Sequence, residues 1–229
     1  MVSVTRAMVT GLMGVVVVWL GGCVAAGFLA AAIPPTPVAA AYKGLAGQSV
    51  GVMVWTDRSV RIDYPLIQLD VANIVQANLA AAQKDKKDDL KLTTFPVEPR
   101  SIVRFQRENP GLEARPITEV AGELGVSRLI YIEITDFQTR PTAELELFRG
   151  TVTGSVRVVE VDANGAGRIG FQEDKITVTF PKKGPPEGVL NSSDVRMYQG
   201  VLSEFATQVA WRFFTHTPPD EVGNASNRR

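Results

Sequence analysis

Glu119-Val120-Ala121-Gly122-Glu123-Leu124-Gly125-Val126-Ser127-Arg128-Leu129-Ile130-Tyr131-Ile132 is the stretch that decides the fold. Around its first half apolar residues recur at helical spacing: Ile117, Val120, Ala121 and Leu124 stand at i, i+3, i+4 and i+7. Gly125 then supplies a C-terminal stop, because glycine enters the left-handed conformation without a Cβ penalty. The second half changes period. Ile130, Ile132 and Ile134 fall on one face, and Tyr131, Glu133 and Thr135 on the other, as a strand requires. A helix, a glycine stop and a half-polar strand in succession predict helices packed on a sheet.

Working outward, residues 49–55 read as a first strand and 56–64 as a polar loop. A helix is expected next, with Asp63 as N-cap and Pro65 in its first turn. Ile67, Val71, Ile74, Val75 and Leu79 form its apolar face. The mixed charges of 84–89 close it in a solvated turn. Residues 90–95 read as a second strand and 101–108 as a short helix. Two alternating segments, 148–161 and 167–180, flank Asp162-Ala163-Asn164-Gly165, a hairpin signal. Asn191-Ser192-Ser193-Asp194 caps a final helix with Tyr198, Val201, Leu202, Phe205, Val209 and Phe213 on its apolar face. Thr217-Pro218-Pro219 is its expected stop. The fold class is therefore α/β (α+β): a mixed three- to five-stranded sheet with packed helices, ending in a β-meander and a long C-terminal helix.

The N-terminus sets location. After Arg6 no residue carries a charge until beyond Ile33. Leu20-Gly21-Gly22-Cys23 closes the most apolar part of that run and resembles the lipobox of bacterial lipoproteins. The resemblance implies cleavage before Cys23 and its acylation. A second reading stands beside it. Residues 24–33 stay apolar, and roughly 20 such residues cross a bilayer, so 7–33 also suits an uncleaved anchor helix. Arg6 stays cytoplasmic in that case. Either way the remainder lies outside the cytoplasm, in the bacterial periplasm at the inner or outer membrane. The expected organisation is a signal peptide or anchor over 1–33, a Pro/Ala-rich spacer over 34–48, one α/β domain over 49–216 and a disordered tail over 217–229.

Composition narrows the partners. The formal net charge is zero, and loss of residues 1–22 removes Arg6 and no acid, leaving −1. Nucleic acid is not an expected partner of such a chain. Cys23 is the only cysteine, so no intrachain disulfide forms.

Three stretches carry a further resemblance. Residues 119–132, residues 50–55 leading into a helix, and Val156-Arg157-Val158-Val159-Glu160-Val161-Asp162 before a glycine turn resemble small extracytoplasmic α/β domains. These occur in the curli-secretion lipoprotein family, in lipoprotein activators of penicillin-binding proteins, and at the amino terminus of the Tol propeller protein. The chain lacks the paired long hairpins of the pore-forming members. The resemblance implies assembly or regulatory partners in the envelope.

No catalytic set emerges from the residues. His216 is the only histidine, and zinc spacings are absent. Gly44-Leu45-Ala46-Gly47 lacks the lysine of a phosphate loop and precedes a strand. Asp57, Asp63 and Asp70 follow the first strand, where α/β sheets often bind ligands. Asp57, Arg58 and Asp63 form the alternative ligand site, for a small molecule, an envelope glycan or a hydrolytic carboxylate pair. Against it, Asp63 has a cap role and Asp70 reads as solvated. Glu144, Glu146, Glu173 and Asp174 read as solvated strand edges, and Trp211, Phe213 and Phe214 as core. The reading is a membrane-anchored, non-enzymatic protein-interaction module without metal or cofactor, held by a Cys23 lipid or an N-terminal helix and meeting an envelope protein.

Overall fold

Two strands, β1 (Val50–Thr56) and β2 (Arg128–Gln138), run parallel, from Val50 opposite Arg128 to Thr56 opposite Ile134. Parallel neighbours need a long crossover. Four helices supply it: α1 (Arg58–Asp63), α2 (Ile67–Lys84), α3 (Pro99–Glu108) and α4 (Ile117–Glu123). β2 then continues antiparallel into β3 (Gly150–Val161) and β4 (Gly167–Phe180), giving a four-stranded mixed sheet in the order β1-β2-β3-β4. Helix α5 (Asp194–Ala210) follows the meander. The computed structural model describes residues 36–85, 87–141 and 146–218. The expected anchor segment with Cys23, the residues around Glu144 and most of the expected tail lie outside them.

The described residues divide into two units. The larger, residues 39–215, holds the sheet and all five helices. In the smaller, the backbones of Val38 and His216 exchange two hydrogen bonds of 2.8 and 3.0 Å.

Strand alternation distributes the core. Val50, Val52 and Val54 of β1 and Ile130, Ile132 and Ile134 of β2 face α2 and α5. There they meet Val71, Val75 and Leu79 of α2 and Val201, Phe205 and Val209 of α5, all buried. Met53 and Leu129 point the other way, onto Ile102 of α3 and Val120 and Ala121 of α4. A strand covered on both faces reads as nearly continuous apolar sequence, which explains Val50-Gly51-Val52-Met53-Val54. Toward β4 the second face opens to solvent. Thr153 and Thr177 pair their hydroxyls there at 3.2 Å.

The turns follow their chemistry. The carboxylate of Asp162 accepts from the backbone N–H of Asn164 and Ala166, both at 2.9 Å, and Gly165 takes φ +82°. Gly125 ends α4 at φ +67°. Ser193 caps α5 by accepting from the Arg196 N–H.

Several expectations change. Residues 90–95 are not a strand. Asp88–Leu90 is a 3-10 turn, Leu92 has φ +59°, and only Thr94 bridges Ser49. Thr94 exchanges backbone bonds with Val50 and Gln48 at 2.8 and 2.9 Å, and side chains serve beside that bridge: Gln83 donates to the Thr93 carbonyl at 2.7 Å, and Thr93 donates to the Leu45 carbonyl at 2.9 Å. The expected polar loop contains α1, and Asp63 ends that helix; α2 begins after Leu66, with no side-chain cap. Part of the expected spacer is packed, since Tyr42 and Leu45 are buried and the Tyr42 hydroxyl donates to Glu160 at 2.7 Å. Helix α5 stops at Ala210 and tightens into a 3-10 turn over Trp211–Phe213, well before the prolines. Phe213 and Phe214 still turn into the core as expected, and Thr215 is tied to Asp89 by two 2.9 Å bonds. Glu173 is no solvated edge: Arg212 clasps it at 2.7 and 2.9 Å.

Gly154 of β3 lies wedged between β2 and α5. A Cβ there would lie 2.5 Å from the Glu133 carbonyl oxygen and 3.0 Å from the Phe205 ring. Gly154→Ala is expected to lower stability by about 1–3 kcal/mol through overpacking. Thr177→Ala on the open face should stay within about 0.5 kcal/mol of the parent. Urea unfolding of the two variants checks both values.

Candidate functional site

Two concave surfaces compete for a role. One is a cleft of about 520 Å³ on the second sheet face, beside the C-terminal end of β1. Register places Met53 opposite Tyr131 and Trp55 opposite Glu133, so alternation brings these four side chains onto one floor. The end of α3 and the 3-10 turn after it form the wall, with Gln106, Arg107, Leu112 and Glu113, and Arg61 reaches in from α1. A smaller hollow of about 230 Å³ shares Arg61, Gln106 and Arg107 and extends past Pro65 and Gln68.

Two glutamines hold this end of the sheet. Gln68 of α2 and Gln106 of α3 both donate to the Val54 carbonyl, at 2.8 and 3.0 Å. They satisfy the outer edge of β1 where no strand pairs with it. Gln106 Oε1 and Trp55 Nε1 are buried without a hydrogen-bond partner.

The charges around the cleft are mostly committed. Arg61 pairs with Glu113 at 2.8 Å, Arg115 with Glu123 at 2.5 Å, and Arg157 with Glu133 at 3.6 Å. The Arg107 guanidinium makes no hydrogen bond or ion pair among the described residues. Burial, with the nearby Glu133 charge, pushes the Tyr131 hydroxyl up to about 12, against the opposing pull of Arg157.

The other surface is a shallow apolar groove of about 270 Å³ between the starts of α2 and α5. Leu66 and Val195 line it at 56% and 65% exposure. Tyr64 and Tyr198 stack within it, centroids 5.6 Å apart. Asp63, Asp70 and Asp194 edge it. Asp70 accepts from the Tyr198 hydroxyl at 2.7 Å, so it is not merely solvated. The Arg140 guanidinium holds the Asp194 carboxyl below its ordinary range, against partial burial and with help from the Thr139 hydroxyl.

The predicted ligand set does not converge. Asp57 and Arg58 are exposed at the start of α1, and neither lines the cleft or the groove. Asp63, at the other end of α1, lies on the rim of the groove. A cleft does sit at the end of β1, but arginines and aromatics line it in place of those acids. Among the described residues, no group of three or more His, Cys, Asp or Glu is arranged to hold a metal, and no helix is long and apolar enough to cross a membrane. Sequence reasoning missed Trp55, Tyr131 and Arg107. The alternation of β1 and β2 carried a signal for the first two; nothing local marked Arg107.

No protein-family model matches the chain, and no curated protein matches it. Among solved structures it is similar to the PelC dodecamer from Paraburkholderia phytofirmans, at 10% identity and TM-score 0.39, over 78% of this chain and 95% of that one. It is also similar to lipoprotein GNA1162 from Neisseria meningitidis, at 14% identity and TM-score 0.38, over 71% and 97%. Likenesses this distant transfer no function.

Tyr42 and Tyr131 give a pH signature. Burial raises both to about 12; the bond to Glu160 adds at Tyr42, where Arg128 opposes it. Their unfolded value is about 10. The folded state therefore keeps protons that the unfolded state releases. Stability is fully present below about pH 10 and is lost as pH rises from there toward 12. Urea midpoints at stepped pH should fall across that window, and less steeply in Tyr131→Phe. An equally steep fall in that variant would refute the assignment.

Proposed function

We propose that the chain is a membrane-anchored, extracytoplasmic, non-enzymatic protein-interaction module serving envelope assembly or maintenance. The apolar groove between α2 and α5 carries this reading. Large apolar side chains seldom gather in the open without a partner, and here Leu66 and Val195 line one concavity with Pro65 and two stacked tyrosines. Asp63 on its rim is exposed, so the complementary partner is an apolar protein segment carrying a basic residue. The apolar run ending at Cys23 supports the tether: a lipid on Cys23, with an anchor helix over 7–33 as the other means of attachment.

The ligand reading based on Asp57, Arg58 and Asp63 is weaker, because those residues share no cavity. A small-ligand role has its own support in the arginine-lined cleft, taken up below.

Paired substitutions test the docking surface. Leu66→Asp with Val195→Asp should lower crosslinking to the envelope partner about tenfold or more, given roughly 1.5–3 kcal/mol for each buried aliphatic side chain. The melting temperature should barely move, since both residues are exposed. An unchanged adduct in the envelope would remove the groove from the interface. For the tether, Cys23→Ala should abolish lipid labelling and leave an unprocessed precursor. Unchanged mobility and membrane retention would exclude the lipid and leave the helix.

A further inference from the structure

The cleft on the second sheet face shares no lining residue with the docking groove, and the proposed function makes no use of it. Its volume falls within the range of small-molecule sites, about 300–1,000 Å³. Its composition also fits one: an apolar, aromatic floor with a few polar groups at the edge.

Three arginines and two glutamates line it, a formal surplus of one positive charge. Arg61 and Arg115 already face carboxylates, and Glu133 is met by Arg157. The surplus therefore resides on Arg107, the last arginine of α3, which has no partner among the described residues. A guanidinium so placed suits a carboxylate or phosphate, which it can grip with two parallel N–H donors. The floor suits a flat ring. Met53 offers a polarizable thioether, and Trp55 and Tyr131 offer aromatic surface on neighbouring strands about 4.8 Å apart. The Tyr131 hydroxyl, protonated at neutral pH like any ordinary tyrosine, adds a hydrogen-bond donor. Buried polar atoms are normally paired; the cleft-lining residues Trp55 and Gln106 each carry one that is not.

We propose that this cleft binds a small aromatic acid, its ring on the floor of Met53, Trp55 and Tyr131 and its anionic group on Arg107. Carboxylate and phosphate share the chemistry, and the probes separate them.

Indole-3-acetate, phenyl phosphate and uncharged indole are titrated into the full chain in detergent. The readout is the Trp55 indole N–H resonance, assigned with Trp55→Phe. A saturable shift of that resonance with at least one of the acids is expected. Indole should bind about tenfold more weakly than that acid, and Arg107→Gln should weaken the acid by about the same factor. Added salt should weaken it too. Arg107 is exposed at a helix end, so Arg107→Gln is expected to fold normally. Arg58→Gln, whose residue lies off the cleft, should leave affinity unchanged. The acid that binds more tightly identifies the anionic group. The proposal is overturned by absence of a saturable Trp55 shift with both acids at about 10 mM. It is equally overturned by an affinity that Arg107→Gln leaves unchanged. Neither result bears on the Leu66–Val195 groove, which is tested separately by crosslinking.

Discussion

The parallel pairing of β1 with β2 is the constraint on which the rest of this structure depends. Parallel neighbours cannot be joined by a tight turn, so 71 residues from Asp57 to Ser127 must cross between them. That crossing creates α1 to α4, and hence the wall of the cleft and one side of the groove. It also places two strands where helices cover both faces. Val52 and Ile130 go to the larger core, Met53 and Leu129 to the smaller.

The exposed edge of β1 is a consequence of the same pairing. An unpaired edge with buried surroundings leaves carbonyls without partners. Gln68 and Gln106 answer this at Val54, from helices on opposite faces of the sheet. Gln106 therefore serves structure at one end of its amide, while its other end lies unpaired beside the cleft. Arg107 follows directly in α3, so the residue that closes the edge also aligns the helix that presents the unpaired guanidinium.

The two surfaces differ in kind. Around the cleft, arginines are balanced by carboxylates with one exception, and aromatic side chains rise from a sheet whose backbone is rigidly paired. The groove is built on helix starts, with Leu66 and Val195 projecting from the first turns beside α2 and α5. Rigid floors with few polar groups favour small ligands; exposed aliphatic side chains on helix ends favour protein segments. One compact unit, residues 39–215, thus holds two surfaces whose chemistry does not overlap.

Much of this architecture was legible in local sequence. Period and punctuation located the helix ending at Gly125, the alternating β2, the Asp162–Gly165 turn and the Ser193 cap, because each is set by neighbours within a few residues. Legibility failed where distant groups intervened. Residues 90–95 have a strand's composition, yet the Gln83 side chain takes up the Thr93 carbonyl from a helix, and Leu92 turns out of the extended region. Asp63 has a cap residue's chemistry, but α1 consumes it before α2 starts. Asp57, Arg58 and Asp63 lie close in sequence and still face no common space, because a helix turns its neighbours apart. The floor of the cleft was implicit in two alternating strands; their register, and the arrival of Arg107 from a helix between them, were not. By itself the sequence determined most of the elements, the Ser193 cap and the apolar run that ends at Cys23, since these depend on local propensity and hydropathy. Only the tertiary structure decided which side chains meet, because burial and charge pairing act between residues that the chain keeps far apart.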